Sequence, residues 1–411
     1  MNKYLFEINP ELIKNFPKLF YGKKSKTTAF SFLPDNIAKN KYVHIHKKVK
    51  AKTGSEFIQK IVKNHKLLES LDGLILWGDD DMMYQIAHSK ISVATKIKIL
   101  PTGNSAGLQI LGSKVGQSKV FSHLNLRTPK TFVAKNKKEL INCVKNIKNP
   151  YIIKGDRFGG GGLVRKISTK KDETQLDFPN TWFPVLVQEF IDGQLVALET
   201  FFKDGQLLAW MYSSKVESLG EYGPSYFRNY HPPTNLDFEE DLINFGKFCG
   251  LTGMFNCTLI LRGSKHYLIE ADGRPNSWHF LFQHFKLPII EIYDGEIPIP
   301  LKPLSPTFKF KKSESIIDLN RSLHYAMSLK SKKILFKSFK YFFHSTNWIS
   351  GQKREAIKLM KFASVQIFHF HIRMLIFQRT VRIFRKLPAR AQSFFKRLGF
   401  TKFIAFKIFK V

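Results

Sequence analysis

For its first 300 residues the chain alternates short apolar blocks with polar turns. LDGLILWGDD, residues 71–80, is an apolar run closing on acids, the pattern of a buried strand that ends in a turn. Behind it, Met82, Met83, Ile86 and Ala87 fall on one helical face. KIKIL at 96–100 predicts the next strand, and this alternation predicts an α/β unit with a parallel sheet. From about 114 to 300 strand-like blocks dominate: YIIKG, LVRKIS, VLVQEFI, ALETFF, QLLAWMYSS, CTLILR and HYLIEA, parted by Gly, Asp and Asn. FEEDLINFGKFCG, 238–250, predicts a helix stopped by Gly250. IPIPLKPLSPTF reads as a linker, and beyond it Phe, Lys and Arg recur at helical spacing. No internal repeat occurs. The expected organisation is an α/β N-terminal domain over 1–113, an α+β core over 114–300 and a basic, mainly helical extension over 301–411.

Composition changes this picture at the C-terminal end. Lys and Arg number 66 against 32 Asp and Glu, a formal charge of +34. Residues 301–411 hold 25 of the bases and 3 of the acids, about two-thirds of the excess. Such charge favours phosphate-bearing partners. With 43% hydrophobic residues a sizeable core is expected. Cys143, Cys249 and Cys257 lack zinc-ligand spacing and suggest no disulfide framework, which fits a reducing cytosol. The start, MNKYLFEINPELIKNF, is too polar for a signal peptide, and no 18-residue uncharged apolar stretch predicts a membrane span.

Two segments carry candidate chemistry. In YIIKGDRFGGGGLVRKIS, Gly159, Gly160, Gly161 and Gly162 lie between two strand-like runs, where glycine lets backbone N–H groups approach a phosphate. Lys154 ends the first strand, and Arg157 and Arg165 add charge. No GK[ST] follows, so this is not a Walker A loop, and a flexible surface hairpin is the bland alternative. In LIEADGRPN, Glu270 and Asp272 share a strand face and offer hard oxygen ligands for Mg²⁺. Arg274 and Asn276 continue that face if the strand extends, to hold and orient a transferring phosphoryl group. A solvated acid pair before a DGRP turn is the alternative. The triplet Asp79, Asp80 and Asp81 sits at a predicted strand end, open to a ligand role or to helix capping.

Together, in this order, the two segments resemble the ATP-grasp superfamily over roughly residues 70–300. LGSKVGQSKVFSHLNLRTPKT, 111–131, is similar to the family's lysine, helix and Thr-Pro segment and makes Lys114 the first nucleotide lysine. PYIIKGDRFGGGG resembles the lid strand and loop, with Lys154 the second, in a lid spanning about 114–190. VLVQEFIDG resembles the adenine hinge: Gln188 would reach the base, and Glu189, Phe190 and Ile191 would give backbone contacts. HYLIEADGRPN resembles the metal strand. FKDGQLLAW and GPSYFRNY point to the carbamoyl-phosphate-synthase-like, predicted carboligase branch. The resemblance implies ATP with Mg²⁺ or Mn²⁺, and ligation of a small carboxylate to an amine or related nucleophile through an acyl phosphate. Three positions depart from the family. Its earlier metal carboxylate falls at Asn256 or Cys257, its Asn after the strand Glu is Asp272, and its ribose-contacting acid is replaced near Leu195.

Other candidates are weaker. His44 with His46, and His369 with His371, alternate as a strand-borne metal pair would, with no third ligand in view. Arg228 suits a substrate carboxylate or phosphate, and Lys215 and Glu217 are candidate pocket residues. Ile376, Phe377, Val381, Ile383, Phe384 and Leu387 oppose Arg379, Arg382, Arg385 and Lys386 on a helical wheel, so residues 364–411 are expected to bind an anionic membrane surface, with packing on the protein's own core the first alternative and nucleic acid the lesser one. The expected location is cytoplasmic, with peripheral attachment to the inner membrane face. The competing function is a catalytically decayed ATP-grasp fold serving as a basic membrane- or nucleic-acid-binding module.

Overall fold

The computed structural model describes residues 2–7, 19, 26–33, 40, 42–159, 161–174, 178–306, 314–318, 326–329, 333–334 and 348–349. Two compact units divide the chain at Ile316. In the second unit the described pieces are short, and Ile317 and Asp318 pair in parallel with Trp348 and Ile349. The tail expectations, including residues 364–411, His369 and His371, lie outside the described residues. No helix among those described is long and apolar enough to cross a membrane.

The first unit begins with the expected parallel sheet. Strands β1 (Asn2–Phe6), β2 (Lys26–Ser31), β3 (Ile45–Lys48) and β4 (Leu74–Trp77) pair in the order β3-β2-β1-β4. Phe30, Phe6 and Trp77 stack across its centre with ring centroids 4.4 Å apart. The Asp80–Ala87 helix buries Met82, Met83, Ile86 and Ala87, the face the spacing predicts. His44 and His46 are joined to the sheet by Thr27 N–H and Ser31 Oγ, and among the described residues no group of three His, Cys, Asp or Glu is gathered for a metal.

KIKIL is not a strand. It belongs to the Val93–Ile99 helix, capped by Ser92 Oγ, which accepts from Thr95 N–H at 3.1 Å. The alternation misleads because Lys96 is itself buried, donating to Ser89 O at 2.7 Å, so Lys96, Ile99 and Leu100 form a helical stripe.

Next comes an antiparallel sheet of order β5-β8-β6-β7, from β5 (Thr131–Ala134), β6 (Tyr151–Gly155), β7 (Val164–Ile167) and β8 (Val185–Glu189). It has its own small core of Ala134, Leu140, Tyr151, Ile153, Val185 and Val187. The third layer is antiparallel: β9 (Gln194–Lys203), β10 (Gln206–Ser218), β11 (Ser225–Tyr230), β12 (Gly253–Arg262) and β13 (Lys265–Asp272), running β13-β12-β9-β10-β11. Its Val196, Leu198, Phe255 and Leu268 share one apolar cluster with Phe6 and Trp77 of the parallel sheet. The Glu239–Cys249 helix ends at Gly250, whose φ of 60° only glycine adopts readily. The proline-rich stretch does not run free over its described part: Leu304 exchanges backbone hydrogen bonds of 2.8 and 2.9 Å with Leu208 and Trp210 of β10.

Candidate active site

β13 supplies the centre. Its register sets Thr258 opposite Glu270 and Asn256 opposite Asp272, so all four share one face, and Glu199 of β9 continues that row. Cys257 points the other way, into the core. The strand is held from outside by Gln117, whose amide accepts from Ala271 N–H at 3.1 Å and donates to Ala271 O at 2.8 Å. That double contact lies between the two acids and aligns them with the Lys114–His123 helix.

Lys114 opens that helix, and its Nζ lies 3.0 Å from Glu270 Oε1 and 3.1 Å from Phe158 O. The residue after β6 fixes the helix start: Asp156 Oδ1 accepts from Ser113 Oγ and Val115 N–H, both at 2.9 Å. Lys154 and Lys114 therefore line one narrow cleft with Thr131, Leu186, Gln188 and Leu268. The cleft is nearly closed, with about 10 Å³ of open cavity.

The charges are strongly coupled. Burial would raise the Glu270 carboxyl, but Lys114 and Lys154 outweigh it and hold it down at about 2. Burial, then Glu270 and Asp80, hold Asp272 well above the usual carboxylate range. Lys154, only 7% exposed, is pushed down to about 8 by burial. Lys215 is also pushed to about 8 by burial and by Arg228, with its Nζ 3.5 Å from Thr258 Oγ1. Burial opposes the Arg274 charge, yet Asp80 and Asp272 hold the guanidinium firmly protonated.

The glycine loop lies against the turn between β10 and β11. Gly161 has φ 76°, and a Cβ there would stand 2.3 Å from Tyr222 O, so glycine is required by both conformation and space. Gly162 N–H donates to Gly159 O at 3.2 Å, and Gly160 lies outside the described residues.

At the hinge, Gln188 is buried and donates to Thr131 Oγ1 at 3.0 Å. The Glu189 N–H donates to Lys130 O at 2.8 Å and the Phe190 N–H to Pro150 O at 3.4 Å. Ile191 is buried. At two of the positions expected to give backbone contacts to adenine, the N–H groups are thus already paired within the chain.

Three placements differ from the sequence reading. The strand ends at Asp272 because Gly273 and Pro275 break the ladder; Pro has no N–H to extend it. Asn276 instead closes a turn, its Oδ1 accepting from Trp278 N–H at 2.9 Å, with its own N–H donated to His279 Nδ1 at 3.1 Å. Arg274 leaves the strand line too: its Nε donates to Asp80 Oδ2 at 2.5 Å and NH2 reaches Asp272 Oδ2 at 3.4 Å. Arg228 is only 3% exposed, ion-paired with Glu199, bonded through Nε to Ser225 Oγ at 2.7 Å and stacked 4.6 Å from the Trp278 ring. Among the three acids at 79–81, Asp79 caps its helix by accepting from Met82 N–H at 3.1 Å, whereas Asp80 faces the site.

Glu199, Gln117, Asp156 and Asp80 form part of this site without a strong sequence signal. Two left a weak one: Glu199, as the lone acid inside the apolar strand ALETFF, and Asp80, as a member of the acid triplet at a predicted strand end.

The oxygen donors suit Mg²⁺, which usually takes one or two carboxylates and completes its shell with phosphates and water. Glu270 and Asp272 would provide the carboxylates, and Asn256 Oδ1 is a buried oxygen without a hydrogen-bond partner on the same face.

No protein-family model matches the sequence, and no curated protein is similar to it in sequence. Solved structures are similar in fold. N5-carboxyaminoimidazole synthetase from Staphylococcus aureus, complexed with ADP, aligns over 77% of this chain and 82% of its own at 13% identity and a TM-score of 0.56. L-amino acid ligase from Bacillus licheniformis aligns over 74% and 77%, at 14% identity and 0.54. The biotin carboxylase domain of Hydrogenobacter thermophilus 2-oxoglutarate carboxylase, solved with MgADP, ADP and bicarbonate, aligns over 71% and 69%, at 13% identity and 0.53. The chain carries the ATP-grasp fold.

Proposed function

We propose that this protein is an ATP-dependent ligase that joins a small carboxylate to an amine or related nucleophile. The observation that carries this reading is the convergence of Lys114 and Lys154 on Glu270 and Asp272, beneath a glycine loop, in a fold shared with structures solved with ADP and MgADP. Phosphoryl transfer asks the protein mainly for cations, metal carboxylates and water exclusion, and those are the groups present.

In this mechanism Lys114 and Lys154 bind the nucleotide phosphates, and the glycine loop covers them with backbone N–H groups. Mg²⁺, held by Glu270 and Asp272, would neutralise phosphate charge. A substrate carboxylate oxygen attacks the γ-phosphorus as the bond to the β,γ-bridging oxygen breaks, giving an acyl phosphate and ADP. The amine then attacks the acyl carbon; phosphate departs with the C–O electron pair, and the amine gives up a proton. Arg274 faces the transferring group and offsets its charge. Arg228, being tied to Glu199, orders the floor of the site rather than meeting substrate directly. Anionic-membrane attachment through residues 364–411 remains part of the proposal on sequence grounds.

The test is ADP release screened over pooled acids and amines, with mass spectrometry of products. Substrate-stimulated ADP release with a mass equal to acid plus amine less water is expected. Nucleotide binding with no stimulated release over the whole pool would favour the decayed-module reading.

A further inference from the structure

We propose that Asp80 is a positioning residue: from the parallel-sheet layer it holds the Arg274 guanidinium at the end of β13 in the orientation that receives the transferring phosphoryl group. The inference rests on the ligase reading and extends it to the parallel-sheet layer.

Arginine is long and loses considerable rotamer freedom when held in place. Beyond β13 the backbone turns away through Gly273 and Pro275, so the strand does not aim Arg274. What aims it is an acid 194 residues earlier. The Asp80 contact is short, 2.5 Å, and made to Nε, whereas the Asp272 contact is 3.4 Å and made to NH2. A grip on Nε fixes the guanidinium plane at its root and leaves the outer edge turned toward the acids of β13. Were Asp272 committed to a dication, Asp80 would still hold the plane.

Asp80 is itself rigidly placed. It is the first residue of a helix capped by Asp79, a position that favours negative charge. Its backbone carbonyl sits under Gly112, where a Cβ would come within 2.3 Å of Asp80 O and 2.9 Å of the Tyr84 Cβ. Gly112 has φ 66° and leads directly into Ser113 and Lys114. One docking contact therefore sets both the turn that delivers Lys114 and the acid that orients Arg274. The other Asp80 oxygen, Oδ1, is buried without a hydrogen-bond partner among the described residues.

The test compares the affinity of the full-length protein for MgADP with its affinity for MgADP plus fluoroaluminate, a planar stand-in for a transferring phosphoryl group. Wild type should bind the second more tightly. Asp80→Asn should keep MgADP affinity within about twofold and lose about tenfold to a hundredfold of the fluoroaluminate gain, the effect of one charge-assisted hydrogen bond. Arg274→Lys, which has no fork to orient, should lose the gain similarly, and adding Asp80→Asn to it should cost nothing more. If Asp80→Asn keeps the gain, if it weakens MgADP equally, or if the two substitutions add fully, Asp80 is not a positioning residue. If wild type shows no gain at all, the ligase reading falls and this inference with it. Asp80→Glu supplies the same comparison should the Asn variant fail to fold, with partial retention of the gain expected and full retention of MgADP binding required.

Discussion

Replacing Lys154 with Met should make the empty protein more stable and the nucleotide-bound protein weaker. Met keeps most of the stem and removes the ammonium. Burial holds the Lys154 pKa at about 8, against 10.5 for an ordinary lysine. The unfolded chain therefore binds the proton more tightly than the folded one. At pH 7 that difference opposes folding by about 3 kcal/mol, since each pKa unit is worth about 1.4 kcal/mol. The sign follows: stability should rise with pH between about 8 and 10.5 in wild type, and this rise should vanish in Lys154→Met. Denaturant midpoints at pH 7 and pH 10 measure both. The same ammonium meets phosphate when nucleotide binds, a contact worth roughly 1.5–3 kcal/mol. Calorimetry should show MgATP affinity lowered about tenfold to a hundredfold, and wild-type affinity declining above about pH 8 as the lysine loses its proton. A variant that is less stable than wild type, or that binds MgATP unchanged, would falsify the assignment of Lys154 as a desolvated phosphate ligand.

Other outcomes follow from the same geometry. Gln117→Leu removes both hydrogen bonds to Ala271 and strands a buried N–H and C=O, so unfolding free energy should drop by about 2–5 kcal/mol; a loss below about 1 kcal/mol would show that β13 is aligned by other contacts. Asp272→Asn should raise the Mg²⁺ concentration needed for turnover, and Asn256→Asp in that background should lower it again. Normal turnover of Asp272→Asn at low Mg²⁺ would remove Asp272 from the metal set. Glutamate at Arg379, Arg382, Arg385 and Lys386 together should stop the full-length protein from pelleting with anionic liposomes; pelleting equal to wild type would refute a membrane role for that face.

What could be read from the sequence was local. The four glycines and the Glu270–Asp272 pair are visible because their chemistry needs nothing beyond neighbours in the chain. The burial of Met82, Met83, Ile86 and Ala87 is likewise a matter of spacing. The misreading of KIKIL arose where a lysine behaves as a core residue, which no binary pattern encodes. The side chains that assemble the site were hidden for a different reason. Gln117 acts on Ala271 across 154 residues, Asp156 on Ser113 across 43 and Asp80 on Arg274 across 194. Gln117 and Asp156 look like ordinary polar residues until the sheets bring their partners near, and Asp80 stands out only as one of three acids at a predicted strand end. Arg228 differs in the opposite sense: in sequence it suits a substrate carboxylate or phosphate, or a plain surface position, but the lone acid Glu199, two strands away across β10, claims it.

The register of β12 and β13 bears on the differences from the ATP-grasp pattern that the sequence resembles. That pattern places an acid near residue 256 and an amide two positions after the strand glutamate; this chain has Asn256 and Asp272. Because Asn256 lies directly opposite Asp272, the two differences amount to an exchange across one antiparallel pair, moving a carboxylate by about 5 Å on the same face. The exchange also moves the charge toward Arg274 and Asp80, where Asp272 gains an arginine partner, and leaves the Asn256 oxygen as a neutral donor. Under the proposed ligase reading, Asp272 beside Glu270 would supply the second carboxylate for a dication, and Asp272→Asn tests that role directly.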